Sequence, residues 1–346
     1  MSTASVTMKH VAHASGVSQA TVSQVLNGKA TSHRIAPGTQ ERVRDAAARL
    51  GYRRNQSARS MRLGRFMAVG FVVTPDLQFF GFARHPRMVR GIATDCTEHN
   101  SYLRLVVLQP GDRDPDEYLR ETFQELGVDG LIIGEESALS GDLEDAIRRY
   151  RVPTVWSNLW REHDAAVPDE AQGIADVLDA FLQRGHRRVA FLDVPEHKHF
   201  SWQVRHRAFE EIAARHGLTP TQVETPPDVH EATRDLTAWL RRPDRPTAVL
   251  VSGGERAQTL LWAAREAGLS VPRDLSIVAL DDHHFNNVGL DLTFKRIPFM
   301  EVGQAASQLL QQKITNPERP IPSVLVPYGE LKDGESLGPA PAEKSG

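Results

Sequence analysis

Apolar and polar positions alternate along this chain in two different rhythms, and the change falls near residue 66. Up to that point the apolar residues recur at helical spacing in three short segments. The first carries Met8, Val11 and Ala12 behind Thr7, a residue type that caps helices. The second carries Val22, Val25 and Leu26 behind Ser18, and the third carries Val43, Ala46, Ala47 and Leu50 with Pro37 in its first turn. Between the first two lies Ala14-Ser15-Gly16-Val17, a tight turn with glycine where the chain must bend sharply. The spacing predicts a helix-turn-helix unit followed by a supporting helix.

From residue 67 the rhythm becomes short, fully apolar runs separated by amphipathic stretches. Residues 68–73, 103–108, 130–134, 153–157, 188–193, 247–252 and 275–280 read as buried strands. Segments 86–99, 115–126, 171–184, 203–216, 231–242 and 255–268 read as the helices between them. Regular alternation of this kind implies parallel sheets covered on both faces. Some 260 residues of it imply two such subdomains, with a ligand crevice at the carboxyl ends of the strands.

Charge sharpens the division. Residues 1–65 hold eleven Lys and Arg against two acidic side chains, a net +9, whereas the remainder holds 30 basic and 42 acidic side chains, a net −12. A basic module for a polyanion is thus joined to an acidic body with another task. On the second helix, turning Val22 and Leu26 inward leaves Gln19, Ala20, Ser23 and Gln24 on the outward face. Short neutral hydrogen-bonding groups fit the floor of a DNA major groove, where Gln can pair with adenine N6 and N7 and Ala can touch a thymine methyl. Lys9, Lys29, His33 and Arg34 surround that face and suit phosphates.

The stretches VTMKHVAHASGVSQATVSQVLNGKA and RIAPGTQERVRDAAARLGYRRNQSARSMR resemble the DNA-binding headpiece and hinge of the lac repressor family of transcription regulators. The similarity continues more loosely to about residue 330. It implies a helix-turn-helix headpiece over residues 1–52, a hinge over 53–65 and a two-lobed effector-binding and dimerisation core over 66–330. The fold class expected is an all-α headpiece plus an α/β, periplasmic-binding-protein-like core of two parallel-sheet subdomains. The DNA-contacting positions it implies are Thr7, Ser18, Gln19, Ala20, Thr21, Ser23, Gln24, Asn27 and Arg34, with Asn55, Ala58 and Met61 in the hinge. Gln24 stands where the family usually has a guanine-reading Arg. Met61 stands where a Leu normally wedges into the minor groove, and Arg54 where Pro is frequent.

In the core, the resemblance places Arg205 at the family's effector-binding arginine and Asp281 at its ligand-binding aspartate. Asn158 falls where a ligand-contacting Asp often sits, Asp76 follows the first strand, and Phe80 belongs to an aromatic-rich segment beyond it. An arginine suits carboxylate, phosphate or vicinal hydroxyls, so a small polar or anionic effector is expected. Two local departures matter: Gly253-Gly254 replaces an Asn-Asp pair, and DEAQG at 169–173 replaces Asp-Asn-x-x-Gly.

Enzyme, metal and membrane readings find little footing. Neither H-E-x-x-H, G-x-S-x-G, a P-loop nor a glycine-rich dinucleotide fingerprint occurs, so no catalytic activity or cofactor is expected. His197, His199, His283 and His284 could ligate a metal, but loop-end histidines are more often surface groups, and no metal site is expected. A single cysteine, Cys96, excludes an intramolecular disulfide and reads as a buried thiol. Without an apolar run of membrane-spanning length or a signal-peptide core at the N-terminus, the expected location is cytoplasmic. The expectation is therefore a ligand-responsive regulator, acting as a repressor, that binds a pseudo-palindromic double-stranded operator as a homodimer. The alternative is a solute-binding or sensor protein without sequence-specific DNA binding. The segment 331–346, rich in Gly, Pro, Ala and Ser, reads as a disordered tail, and it lacks the leucine heptad of a tetramerising terminus.

Overall fold

The computed structural model describes residues 6–28, 30, 34–53, 64–73, 84–107, 127–134, 141–193, 199–282 and 289–342, with single positions between 114 and 125. The chain divides into two compact units, Met1–Phe66 and Met67–Gly346.

In the first unit, α1 (Met8–Ser15), α2 (Gln19–Leu26) and α3 (Pro37–Arg49) follow the helical spacing of the apolar residues. Val11, Val22, Val25, Val43 and Ala46 close a common core between the three helices. Each helix start has a local cause. The His10 ring accepts the Thr7 backbone N–H at 3.2 Å, the Ser18 hydroxyl accepts that of Thr21 at 3.1 Å, and Pro37 occupies the first turn of α3. Gly16 takes φ +67°, a left-handed conformation that ends α1 and turns the chain into α2.

The second unit contains two six-stranded sheets. The first lobe is built from β1 (Ala68–Val73), α4 (Arg84–Glu98), β2 (Tyr102–Val107), β3 (Gly130–Ile133), α5 (Gly141–Tyr150), β4 (Thr154–Ser157) and β5 (Ala165–Pro168). The second holds α6 (Glu170–Gln183), β6 (Arg188–Asp193), α7 (Phe200–Arg215), β7 (Thr219–Glu224), α8 (Val229–Leu240), β8 (Ala248–Ser252), α9 (Gly254–Glu266), β9 (Ser276–Asp281) and β10 (Thr293–Arg296). The chain then returns to the first lobe with α10 (Phe299–Thr315) and β11 (Val324–Val326), and crosses back to end on β12 (Leu331–Lys332). The strand orders are β11-β5-β4-β3-β1-β2 and β12-β10-β9-β8-β6-β7. All described pairings within these sheets are parallel except β10 with β12.

Central strands are apolar throughout because both faces are covered: β3, β5 and most of β6, β8 and β9 are buried residue after residue. One continuous core runs from Phe71 and Met88 in the first lobe to Phe191 and Phe209 in the second. Helix α10 lies against α4 at very short range. A Cβ on Gly91 would stand 1.9 Å from the Met300 carbonyl oxygen, and one on Gly303 would stand 2.2 Å from that of Met88. Cys96 is buried on α4, and burial pushes its thiol pKa up, as expected of an unreactive core cysteine.

The reading of residues 331–346 as a disordered tail is corrected by the structure for the described part, through residue 342. Strand β12 pairs with β10, Ser336 exchanges hydrogen bonds with Ile277 and Thr293, and the Ala340 N–H reaches the Arg184 carbonyl at 2.8 Å. The buried His186 ring bridges the Gly338 carbonyl at 3.1 Å and the Thr247 hydroxyl at 2.9 Å. Small residues are needed here because the segment runs close to its neighbours: a Cβ on Gly334 would meet the Asp291 carbonyl at 2.6 Å. Composition that resembled a solvated tail is that of a segment pressed onto the second lobe.

Candidate functional sites: the α2 face and the interlobe crevice

On α2 the buried side is Val22 and Val25, with Leu26 half-buried, and the opposite side carries the residues expected to face DNA. Gln19 and Ala20 are exposed and Gln24 half-buried. Neither glutamine amide has a hydrogen-bond partner among the described residues. Their neighbours are differently employed. Ser18 caps the helix and pairs its hydroxyl with that of Thr21 at 2.9 Å. Asn27 closes the other end, its amide donating to the Ser23 carbonyl at 2.7 Å and lying 3.0 Å from the Ser23 hydroxyl. Thr7 is exposed ahead of α1, and Arg34 is exposed with φ +53°. Asn55, Ala58 and Met61, the expected hinge contacts, lie outside the described residues, as do Lys29 and His33.

The crevice is defined by strand ends of the two lobes. Asn158 follows β4, is buried and takes φ +58°, a left-handed conformation that Asn tolerates better than most residues. Facing it from the second lobe is His199, the cap of α7. Its Nε2 lies 2.7 Å from the Asn158 carbonyl, which can only accept, so this nitrogen carries the proton. Its Nδ1 is then free to accept the Ser201 N–H at 3.3 Å and sits 2.7 Å from the Ser201 hydroxyl. Arg87 of α4 and Asp282 beyond β9 add a second link between lobes, at 3.1 Å.

Arg205 sits on α7 and is almost wholly buried. Its Nε and one terminal nitrogen donate to the two Glu170 carboxylate oxygens at 2.7 and 3.1 Å. The other terminal nitrogen donates to the Ser252 hydroxyl at 3.2 Å, and the Tyr328 hydroxyl accepts a further bond at 3.2 Å. Tyr328 in turn donates to Glu170. Burial works against the guanidinium charge, but the adjacent Glu170 carboxylate outweighs it and raises the Arg205 pKa above its ordinary range. Burial, reinforced by Glu170, pushes the Tyr328 phenol well up, so it stays protonated. Its ring lies against Gly173, where a Cβ would stand 2.7 Å away.

Asp281 ends β9 half-buried. One carboxylate oxygen accepts the Gly254 N–H at the start of α9 at 2.7 Å, and the other accepts the N–H of Asp282 at 2.7 Å. Gly253, at φ +94°, makes this approach possible, so the Gly-Gly departure supports an aspartate cap on α9. Asp76 and Phe80 lie outside the described residues, together with His197, His283 and His284. The structure therefore brings Asn158, His199 and Ser201 together across the crevice and gathers Arg205 with Glu170, Ser252 and Tyr328. Ser201 had no signal in the sequence as a crevice residue and His199 was considered only as a possible metal ligand, although the departure at 169–173 did mark the segment containing Glu170.

A basic three-helix unit joined to a two-lobed, doubly wound core defines the class: a DNA-binding headpiece on a crevice-forming body. Comparison with known proteins agrees. Residues 7–55 match the model for bacterial regulatory proteins of the lacI family, and residues 178–337 match a periplasmic binding protein-like domain. Catabolite control protein A of Priestia megaterium is 27% identical over 314 residues, covering 88% of this chain and 91% of the relative. The ribose operon repressor of Escherichia coli K12 is 27% identical over 324 residues, covering 90% and 94%. A crystal structure of the lac repressor dimer bound to operator and the anti-inducer ONPF superposes with a TM-score of 0.73 at 21% identity, covering 97% of this chain and 100% of that one. The chain carries a lacI-family DNA-binding domain together with a periplasmic-binding-protein-like domain, and its relatives are transcriptional regulators and repressors. Among the described residues, no helix is long and apolar enough to cross a membrane.

Proposed function

We infer that this regulator binds a pseudo-palindromic DNA operator as a homodimer, with one headpiece on each half-site, and that a small molecule held between the lobes sets its affinity for DNA. The observation that carries the DNA reading is the α2 face: Gln19, Ala20 and Gln24 point away from the headpiece core without internal partners on a module of net charge +9. Polar amides left unpaired at a surface can exchange water for base edges at little cost, while the surrounding Lys and Arg neutralise phosphates. Thr7, Ser18, Thr21, Ser23, Asn27 and Arg34 would hold the helix and its flanks on the backbone. Asn55, Ala58 and Met61 would follow the minor groove between half-sites.

A second copy of the chain has surfaces to meet. The edge strand β2 exposes Tyr102, Leu105 and Val107, and the second lobe exposes Val229 and Trp262. The operator-bound lac repressor is described as a dimer, and the E. coli relative is named a repressor; both descriptions favour repression by a dimer here. The effector would lie in the crevice among Asn158, Arg205 and Asp281, with Asp76 and Phe80 closing from the first lobe. Its action would be to alter how the lobes hold the hinge, and linkage makes induction and corepression equivalent in form. Such a protein works where the DNA is, in the cytoplasm.

The test is a gel shift with a pool of random-sequence duplexes. A retained complex that weakens as salt rises supports the reading. A protein that binds ligands in its crevice but retains no duplex at any salt concentration is the sensor alternative, and the regulator reading fails.

A further inference from the structure

Arg205 is the cation expected to attract an anionic effector, yet its charge is already answered from within the fold. Glu170 meets it through both carboxylate oxygens at 2.7 and 3.1 Å, Ser252 takes a third donor and Tyr328 a fourth. The two side chains are 11% and 1% exposed, so the pair shares a nearly dry site. Glu170 is not a mobile surface group that a ligand could push aside. It occupies the first turn of α6, accepts the Tyr328 hydroxyl as well, and is walled by the Tyr328 ring packed on Gly173.

An anion approaching Arg205 would have to strip Glu170 of its partner and leave a buried carboxylate unpaired, which is strongly unfavourable. Among the described residues, the polar groups near this pair are likewise taken up by internal partners. His199 donates from Nε2 to the Asn158 carbonyl, the Ser201 hydroxyl pairs with its Nδ1, and the Asp281 carboxylate accepts the Gly254 and Asp282 N–H groups. Arg87, the cation that reaches across from the first lobe, is matched by Asp282.

We propose that Glu170 is a built-in carboxylate that fills the anion subsite of Arg205, so that this arginine is closed to carboxylated and phosphorylated ligands. This rests on the crevice being the effector site. Arg205 is then a positioning residue that fixes α7 against α6 and the Tyr328 crossover, and Glu170 is the specificity determinant.

Chemical rescue tests the subsite without needing the effector. Full-length wild type and Glu170→Ala are titrated with sodium formate, with sodium chloride at matched ionic strength as control, and Tm is read. Wild type should respond to formate no more than to chloride. Glu170→Ala should start lower and rise saturably with formate alone, because formate restores a carboxylate facing Arg205; the double variant with Arg205→Ala should lose that response. If Glu170→Ala does not fold, Glu170→Ser leaves the same space open with a small hydroxyl in it, and formate should raise its Tm above the chloride control while leaving wild type unmoved. A saturable, Arg205-dependent anion response in wild type overturns the proposal, as does a variant whose Tm is the same in anion and chloride. A metabolite screen that finds no crevice ligand at all would instead remove the effector reading, and leaves the rescue result standing on its own.

Discussion

The α2 face and the crevice carry similar polar side chains and employ them in opposite ways. On α2, Gln19 and Gln24 have no internal partner among the described residues, and the helix is held by Ser18 and Asn27 at its two ends instead. In the crevice, Arg205, Glu170, Tyr328 and Asp281 are all committed to one another or to helix starts. A polar group left unpaired at a surface is available for recognition, whereas one buried with full hydrogen bonding holds the fold. Resemblance to a family pattern does not distinguish the two, since it marks Gln24 and Arg205 alike as candidate site residues; only the partners do.

The most severe way to break this contrast is at Glu170. Glu170→Ala leaves the Arg205 guanidinium buried without its counter-ion, and the expected loss of core stability is about 3–5 kcal/mol. Urea denaturation of the full chain measures it, and a loss within the error of the melt would mean that the pair does not hold the fold. On the recognition side the expected pattern is reversed. Gln24→Arg should leave the melt within roughly 0.5 kcal/mol of wild type. It should shift preference from adenine toward guanine at one symmetric position of each half-site, by roughly 1–3 kcal/mol. Sites selected from a random pool by the two proteins decide this, and identical preferences would remove Gln24 from the reading face.

Asn27 lies between these extremes, because it was expected to contact DNA and is found closing α2. Asn27→Ala should cost the headpiece about 0.5–1.5 kcal/mol through the lost bond to the Ser23 carbonyl. A variant that melts like wild type yet binds DNA poorly would show that Asn27 serves the DNA contact and not the helix end.

The smallest effect expected is a pH dependence at the C-terminal segment. Burial depresses the His186 pKa below its ordinary 6.5, so the ring is neutral between Thr247 and Gly338. The unfolded chain takes up this proton first as pH falls. The stabilisation is therefore complete above about pH 6.5 and is lost as pH drops through the folded-state value. Urea melts and hydrogen exchange at Ala340 should both show weakening toward pH 5. His186→Gln should flatten that trend, and an unchanged slope would assign the acid sensitivity elsewhere.

How much of this was legible in advance follows from where each signal is stored. The strands at 68–73 and 188–193 were readable to the residue, because strands covered on both faces are continuous apolar runs. Strand β7 was not among those read, since TPTQVE lies at a sheet edge with mostly exposed side chains. Strand β10 was missed because its Lys295 is buried against Asp176, a partner 119 residues away. The α2 face was legible because a helix fixes its own geometry within eight residues. Arg205 was correctly singled out as a special arginine, but Glu170 and Tyr328 stand 35 and 123 residues from it, and no local pattern reports such a pairing. The C-terminal segment failed for a related reason: Gly and Pro indicate low burial only when nothing presses on them, and here the second lobe does.

The central claim is that α2 offers unpaired groups to DNA from a basic, paired headpiece. The most direct measurement is footprinting of the full-length protein on its best selected duplex across a salt series. Two protected half-sites related by a two-fold axis are expected. Affinity should also fall steeply between low and moderate salt, as when about six to ten phosphates are neutralised. A single asymmetric footprint, or an affinity that does not change with salt, would contradict it.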